Sequence, residues 1–220
     1  MSLKIMYRDE LEGFSKSRVM LVLWIGLPLL TLLIHVFQPK MNRDISLTLF
    51  SAFIVSSISG TLAAIMLTVA LIHEKSRGVY PLFLVRPVKR RSILLGKFFA
   101  VFTSIAVAAL ITILTGLIYD GLRGGLLNEK ALFEAGKSVL VGFSAMGIAS
   151  AAGILIGVLS PSVLVGVILV LYGANQISSL TLLPAMFKWP HAWLLSLAFG
   201  VVMTCLLLFI AVRIFEKKQF

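Results

Sequence analysis

The sequence predicts an all-α integral membrane protein, and three observations carry that prediction. Six uncharged apolar runs follow one another along the 220 residues, each long enough to cross a bilayer at roughly 20 residues per span. Charged residues make up 13% of the chain, against about 25% in an ordinary soluble domain, and they gather at the edges of the runs. Two of the runs carry a small residue at every fourth position, a spacing that lets membrane helices approach closely. A soluble fold has no means of hiding a chain that is 59% hydrophobic.

The first element is segment 1–18. Leu3, Tyr7, Leu11 and Phe14 recur at helical spacing while Lys4, Arg8, Asp9, Glu12 and Lys16 face elsewhere, which predicts an amphipathic helix lying at the cytoplasmic membrane interface. Its mixed charges do not form the short basic region and small-residue cleavage site of a removable signal peptide, so the first span is expected to stay in the mature protein. The rest of the chain, 19–220, reads as one transmembrane domain of six spans. These are expected at 19–37, about 47–72, 98–118, 138–159, 162 to about 183, and 192–212.

The fourth and fifth spans are separated only by Ser160 and Pro161, a hairpin turn in which proline stops the helix. The second half of the fifth span is polar, with Asn175, Gln176, Ser178 and Ser179 followed by Pro184 and Pro190. It fits either a plain helix or a helix with a broken, re-entrant segment at the outer face, with Trp189 and Trp193 at headgroup level. Asn175 and Gln176 are the candidate translocation-path or outer-gate residues. The small-residue stripes are Ala52, Ser56, Gly60 and Ala64 in the second span, and Ala145, Ala149, Gly153 and Gly157 in the fourth. Packing within one chain and packing between two chains both satisfy them.

Orientation follows from Lys and Arg outside the spans. Fourteen lie on the side of the N-terminus, the second-to-third connection and the C-terminus, and six lie on the other. The positive-inside rule therefore predicts both termini in the cytoplasm of a multi-pass plasma-membrane protein. The same placement disposes of nucleic acid as a partner: the net charge of +11 is spread along span edges rather than gathered into a patch.

Several chemistries are excluded. A single cysteine, Cys205, cannot make a disulfide framework or a cysteine zinc site within one chain. His35, His73 and His191 fall near span ends on both sides of the membrane, so no metal site is expected, and the eight methionines read as packing. Gly136-Lys137-Ser138 is the nearest approach to a phosphate-binding loop, but Ala131 stands where that loop needs glycine. Asp120, Glu129 and Glu134 are spaced like ordinary solvated charges, and no residue is assigned a catalytic role. No acidic residue lies well inside a span, which argues against the ion relays of a secondary carrier. A channel or carrier would have to rely on Asn175 and Gln176, and a lipid-modifying enzyme would need clustered His, Asp or Glu at one membrane face.

The informative segment is the connection 73–97. It opens with Glu74, Lys75 and Arg77, carries Gly78, continues with an apolar stretch containing Tyr80, Leu82, Phe83, Leu84 and Val85, and closes on Pro87 and the basic cluster Lys89, Arg90, Arg91. Apolar groups in water cost roughly 25 cal/mol per Å², so the membrane surface or a groove on a partner must cover them. The basic cluster and Lys97 also suit topology setting and headgroup contact. Glu74-x-x-x-Gly78, a hydrophobic run, Pro87-x-x-Arg90-Arg91 and Ile93-Leu94-Leu95-Gly96-Lys97 together resemble the coupling region of ABC-2 type permeases, the membrane subunits of ATP-driven exporters.

That resemblance implies a short coupling helix that docks on a cytoplasmic ABC ATPase, with Glu74, Gly78, Tyr80, Leu82, Phe83, Leu84, Pro87, Arg90 and Arg91 as its coupling residues. Pro81 departs from the family's usual helix former and places the helix start near Tyr80. The resemblance further implies a dimer with a second permease chain, and no cofactor in this chain, because ATP and Mg belong to the ATPase partner.

Overall fold

In the computed structural model the described residues are 3–37, 47–78, 90–122, 129–187, 189 and 191–217. They are helical almost throughout. Helix α1 (Leu3–Ser15) is followed by α2 (Arg18–Phe37), α3 (Leu47–Ser76), α4 (Arg90–Leu122) and α5 (Glu129–Leu159). An irregular helix α6 then covers 163–186, and α7 (Ala192–Lys217) is the last described helix.

Five of these helices are long and apolar enough to cross a membrane, and α1 and α2, bent by 62° at the break between them, pass the same test of length and composition only when taken as a pair. Several run past the expected span limits: α4 begins at Arg90 rather than 98, α5 at Glu129 rather than 138, and α7 continues to Lys217. Apolarity marks only the stretch in contact with hydrocarbon. A helix already nucleated there adds charged residues at little cost.

The bundle is built around α3 and α5, which share the most extensive interface of the fold, with α4 and α7 flanking them. The two small-residue stripes meet at this interface. A methyl group built on Gly60 would touch Ala149, and one on Gly153 would lie 2.6 Å from the carbonyl oxygen of Ala64. Thr68 Oγ1 donates to the Gly153 carbonyl at 2.7 Å across the same contact. Close backbone approach, rather than bulk burial, is what membrane helices use to associate. Both stripes are therefore satisfied within one chain.

At the end of the bundle remote from the termini, Asp120 at the tail of α4 caps the start of α3. Its carboxylate accepts from the Leu47 and Thr48 amides and the Thr48 hydroxyl at 2.8 to 3.0 Å. These are orphan donors of a helix N-terminus, which favours negative charge. Asp120 is thus a cap and not the freely solvated charge its spacing suggested.

Candidate functional site

The polar chemistry of the fold gathers at the end that carries both termini. Lys97, about two turns into α4, is 2% exposed. Its ammonium reaches Glu10 of α1 at 2.6 Å and Glu74 of α3 at 2.5 Å. Taking an ammonium out of water costs several kcal/mol unless it is paired, and here two carboxylates from two other helices pair it. The expectation of headgroup contact for Lys97 is therefore corrected: burial and two carboxylates hold it inside the protein.

Each partner is placed by its own helix. Met6, one turn before Glu10, is the buried residue of α1 and sits against Gly96, where a Cβ would lie 3.2 Å from the Met6 side chain. A residue with no side chain beside Lys97 is what lets α1 approach α4 closely enough for the ion pair. Tyr7 adds a hydroxyl contact to Thr103 at 3.3 Å. The face of α1 turned to the bundle thus centres on Met6 and Glu10, with Leu3 left exposed. Glu74 lies in the last turn of α3, and α3 ends where Gly78 takes a left-handed φ of 62° and its amide bonds the Lys75 carbonyl. That conformation costs a residue with a Cβ about 1–2 kcal/mol and glycine nothing.

Two further contacts complete this end. Arg91 pairs with Glu216 of α7, Nε to Oε1 at 2.6 Å. Lys75 Nζ bonds the Ser160 carbonyl at 3.4 Å, which fastens the turn between α5 and α6. That turn is built as expected, with Ser162 capping α6 by accepting from the Val165 amide. Charges from α1, α3, α4 and α7 are joined here, so both termini and the connection between α3 and α4 lie on one side of the bundle.

Of the expected coupling residues, Glu74, Gly78 and Arg91 are placed as described, and Arg90 opens α4. Tyr80, Leu82, Phe83, Leu84 and Pro87 lie outside the described residues. Glu10 and Glu216 were missed by sequence reasoning; for Glu10 the only available signal was its position one turn after Met6. Glu74 keeps its second oxygen buried, with no hydrogen-bond partner among the described residues.

The other candidates, Asn175 and Gln176, lie in α6. This helix runs as α-helix to Leu169, as a π turn over Val170–Ala174, as α-helix again over Asn175–Ser179 and as a 3₁₀ turn over Leu180–Leu182. It changes winding without breaking, and its apolar span is 20 residues long. π turns inside α-helices occur frequently at functional sites. Asn175 faces a groove shared with α3 and α5, whereas Gln176 does not line it.

Fold and site together define a multi-pass helical membrane protein whose charged groups are joined at the end where its second and third long helices connect. The model of the ABC-2 family transporter protein matches residues 14–176, well over half of the chain and including that connection. The chain belongs to this family and is an ABC-2 type permease, a membrane component of ABC transport. A search of curated proteins finds no match to it.

Proposed function

We propose that this chain is the permease subunit of an ATP-driven exporter, working as a dimer of permease chains on two ABC ATPase subunits. The connection 73–97 is the coupling segment. Residues from about Tyr80 to Val85 form a short helix whose Leu82 and Phe83 enter a groove on the ATPase, and α1 lies at the cytoplasmic interface. Six spans, both termini in the cytoplasm and a plasma-membrane location complete this reading. ATP and Mg stay with the ATPase, and this chain holds no cofactor.

One observation supports it above the others: the two ends of the coupling segment are tied to one buried node. Glu74 stands at the start of the segment and Lys97 at its end, and they are bonded to each other. A push delivered to residues 79–89 therefore reaches α3 and α4 as one body, with α1 carried along through Glu10. Rigid-body tilting of that unit is a common way for such a push to open a path across the membrane. The buried free oxygen of Glu74 offers an acceptor to a donor arriving with the ATPase.

The test is co-purification of the cognate ATPase from membranes. Burying two apolar anchors contributes roughly 1.5–3 kcal/mol each, so Leu82→Ala with Phe83→Ala should reduce ATPase retention by about tenfold or more while insertion is unchanged. Neutralising Lys89, Arg90 and Arg91 should instead disturb orientation or lipid contact. Full ATPase retention by the double alanine variant would reduce the segment to a membrane-surface loop.

A further inference from the structure

Asn175 and Gln176 are neighbours in α6, yet only Asn175 lines the groove shared with α3 and α5. Gln176 is turned to the outside of the chain, and it does not stand alone there. Leu164, Ile168 and Tyr172 precede it at steps of four, which puts all of them on one face, and every one is exposed. Ser179 and Leu183 carry the same exposed face on toward the far end of the helix. The face is therefore apolar at both ends and polar in its middle, and α6 is the least buried of the five long apolar helices.

That middle lies deep. The apolar span runs from Val163 to Leu182, so Tyr172 is nine residues in, about 14 Å at ~1.5 Å per residue, and Gln176 is six residues short of the other end, about 9 Å. Neither side chain is long enough to return to the headgroups. Tyr172 stands in the π turn and is 76% exposed. Ser179 Oγ donates to the Gln176 backbone carbonyl at 2.7 Å, but no hydrogen bond among the described residues reaches the Tyr172 hydroxyl or the Gln176 side-chain amide. Hydrocarbon offers neither group a partner, so lipid is the wrong cover for this stretch.

The cover must bring both donors and acceptors, and a carboxamide carries both. Two copies of one chain related by a two-fold axis place a residue near the axis opposite itself, so Gln176 of each copy can donate to and accept from the other. The apolar residues at either end supply the close packing by which membrane helices associate. We infer that α6 packs against α6 of a second copy of this chain along this face, with the two Gln176 amides bonded across the axis and Tyr172 beside them. That a second copy exists rests on the function proposed above; the face it covers and the amides that hold it rest on α6 alone.

The experiment uses the full chain with its ATPase in native membranes, as two differently tagged copies expressed together. Cys205, the exposed cysteine of α7, is first changed to alanine. Under mild oxidation Tyr172→Cys should then give a disulfide-linked pair carrying both tags. Val202→Cys, ten residues into α7 and 62% exposed, should give far less. Adding Gln176→Leu to Tyr172→Cys should lower the yield about fivefold without changing the amount inserted, because the side chain is exposed in the single chain. Equal yields at 172 and 202, an unchanged yield with Gln176→Leu, or a product joining 172 to a polypeptide of another mass would overturn the inference. ATPase retention is read in the same sample: linked copies that hold no ATPase would sink the coupling reading and leave this interface standing.

Discussion

Lys97 is the residue on which one end of the molecule turns. Removing its charge leaves Glu10 and Glu74 facing each other with nothing between them, a loss of about 3–5 kcal/mol when one partner of a buried pair goes. Lys97→Met should therefore lower the thermal stability of the purified chain sharply. Glu10→Gln should cost less, because Glu74 still pairs the ammonium. Unchanged melting of Lys97→Met would mean that the ion pairs contribute nothing to the fold.

The glycines allow a second comparison at this scale. Gly153→Ala puts a methyl group 2.6 Å from a backbone oxygen that cannot move without its helix, so it should destabilise by roughly 1–3 kcal/mol. Gly136→Ala meets open space and should be neutral or stabilising by up to about 1 kcal/mol. Parallel thermal melts of the two variants check both signs.

Among the elements, those defined by apolarity alone were legible in the sequence. The hydrophobic runs around Leu67, Val101, Ala149 and Leu207 become the middles of α3, α4, α5 and α7, and the Ser160-Pro161 turn stands where proline requires it. What was not legible depends on pairing between distant residues. Asp120 looks solvated until the start of α3 is brought to it, and Lys97 looks like a headgroup anchor until α1 and α3 deliver their carboxylates. The apolar spacing of α1 pointed to Leu3, Tyr7, Leu11 and Phe14; the bundle takes Tyr7 and Phe14 from that stripe, adds Met6 and Glu10 beside it, and leaves Leu3 exposed. An amphipathic stripe has a width, and which edge docks is decided by Gly96 on another helix. The π turn in α6 has no sequence signal beyond the polar residues that follow it. Asp120→Ala should cost about 0.5–2 kcal/mol, the worth of a helix cap, measurable by the same melts.

The whole molecule joins a small-residue helix core to a charged end that holds both termini and the connection 73–97. Reporter fusions after Arg91 and at the C-terminus should read cytoplasmic, and fusions near Arg123 and Lys188 should read outside, as the distribution of Lys and Arg requires. A cytoplasmic reading at Arg123 would break the six-span arrangement. The central claim, however, is that the coupling segment touches an ATPase. Its most direct measurement is photocrosslinking in intact membranes from a benzoylphenylalanine placed at Phe83, with one at Arg123 as the control on the opposite side. The account predicts a covalent adduct from position 83 with an ABC ATPase subunit, identified by its nucleotide-binding peptides, and none from position 123. Adducts from position 83 with lipid alone, in membranes that contain the ATPase, would contradict it.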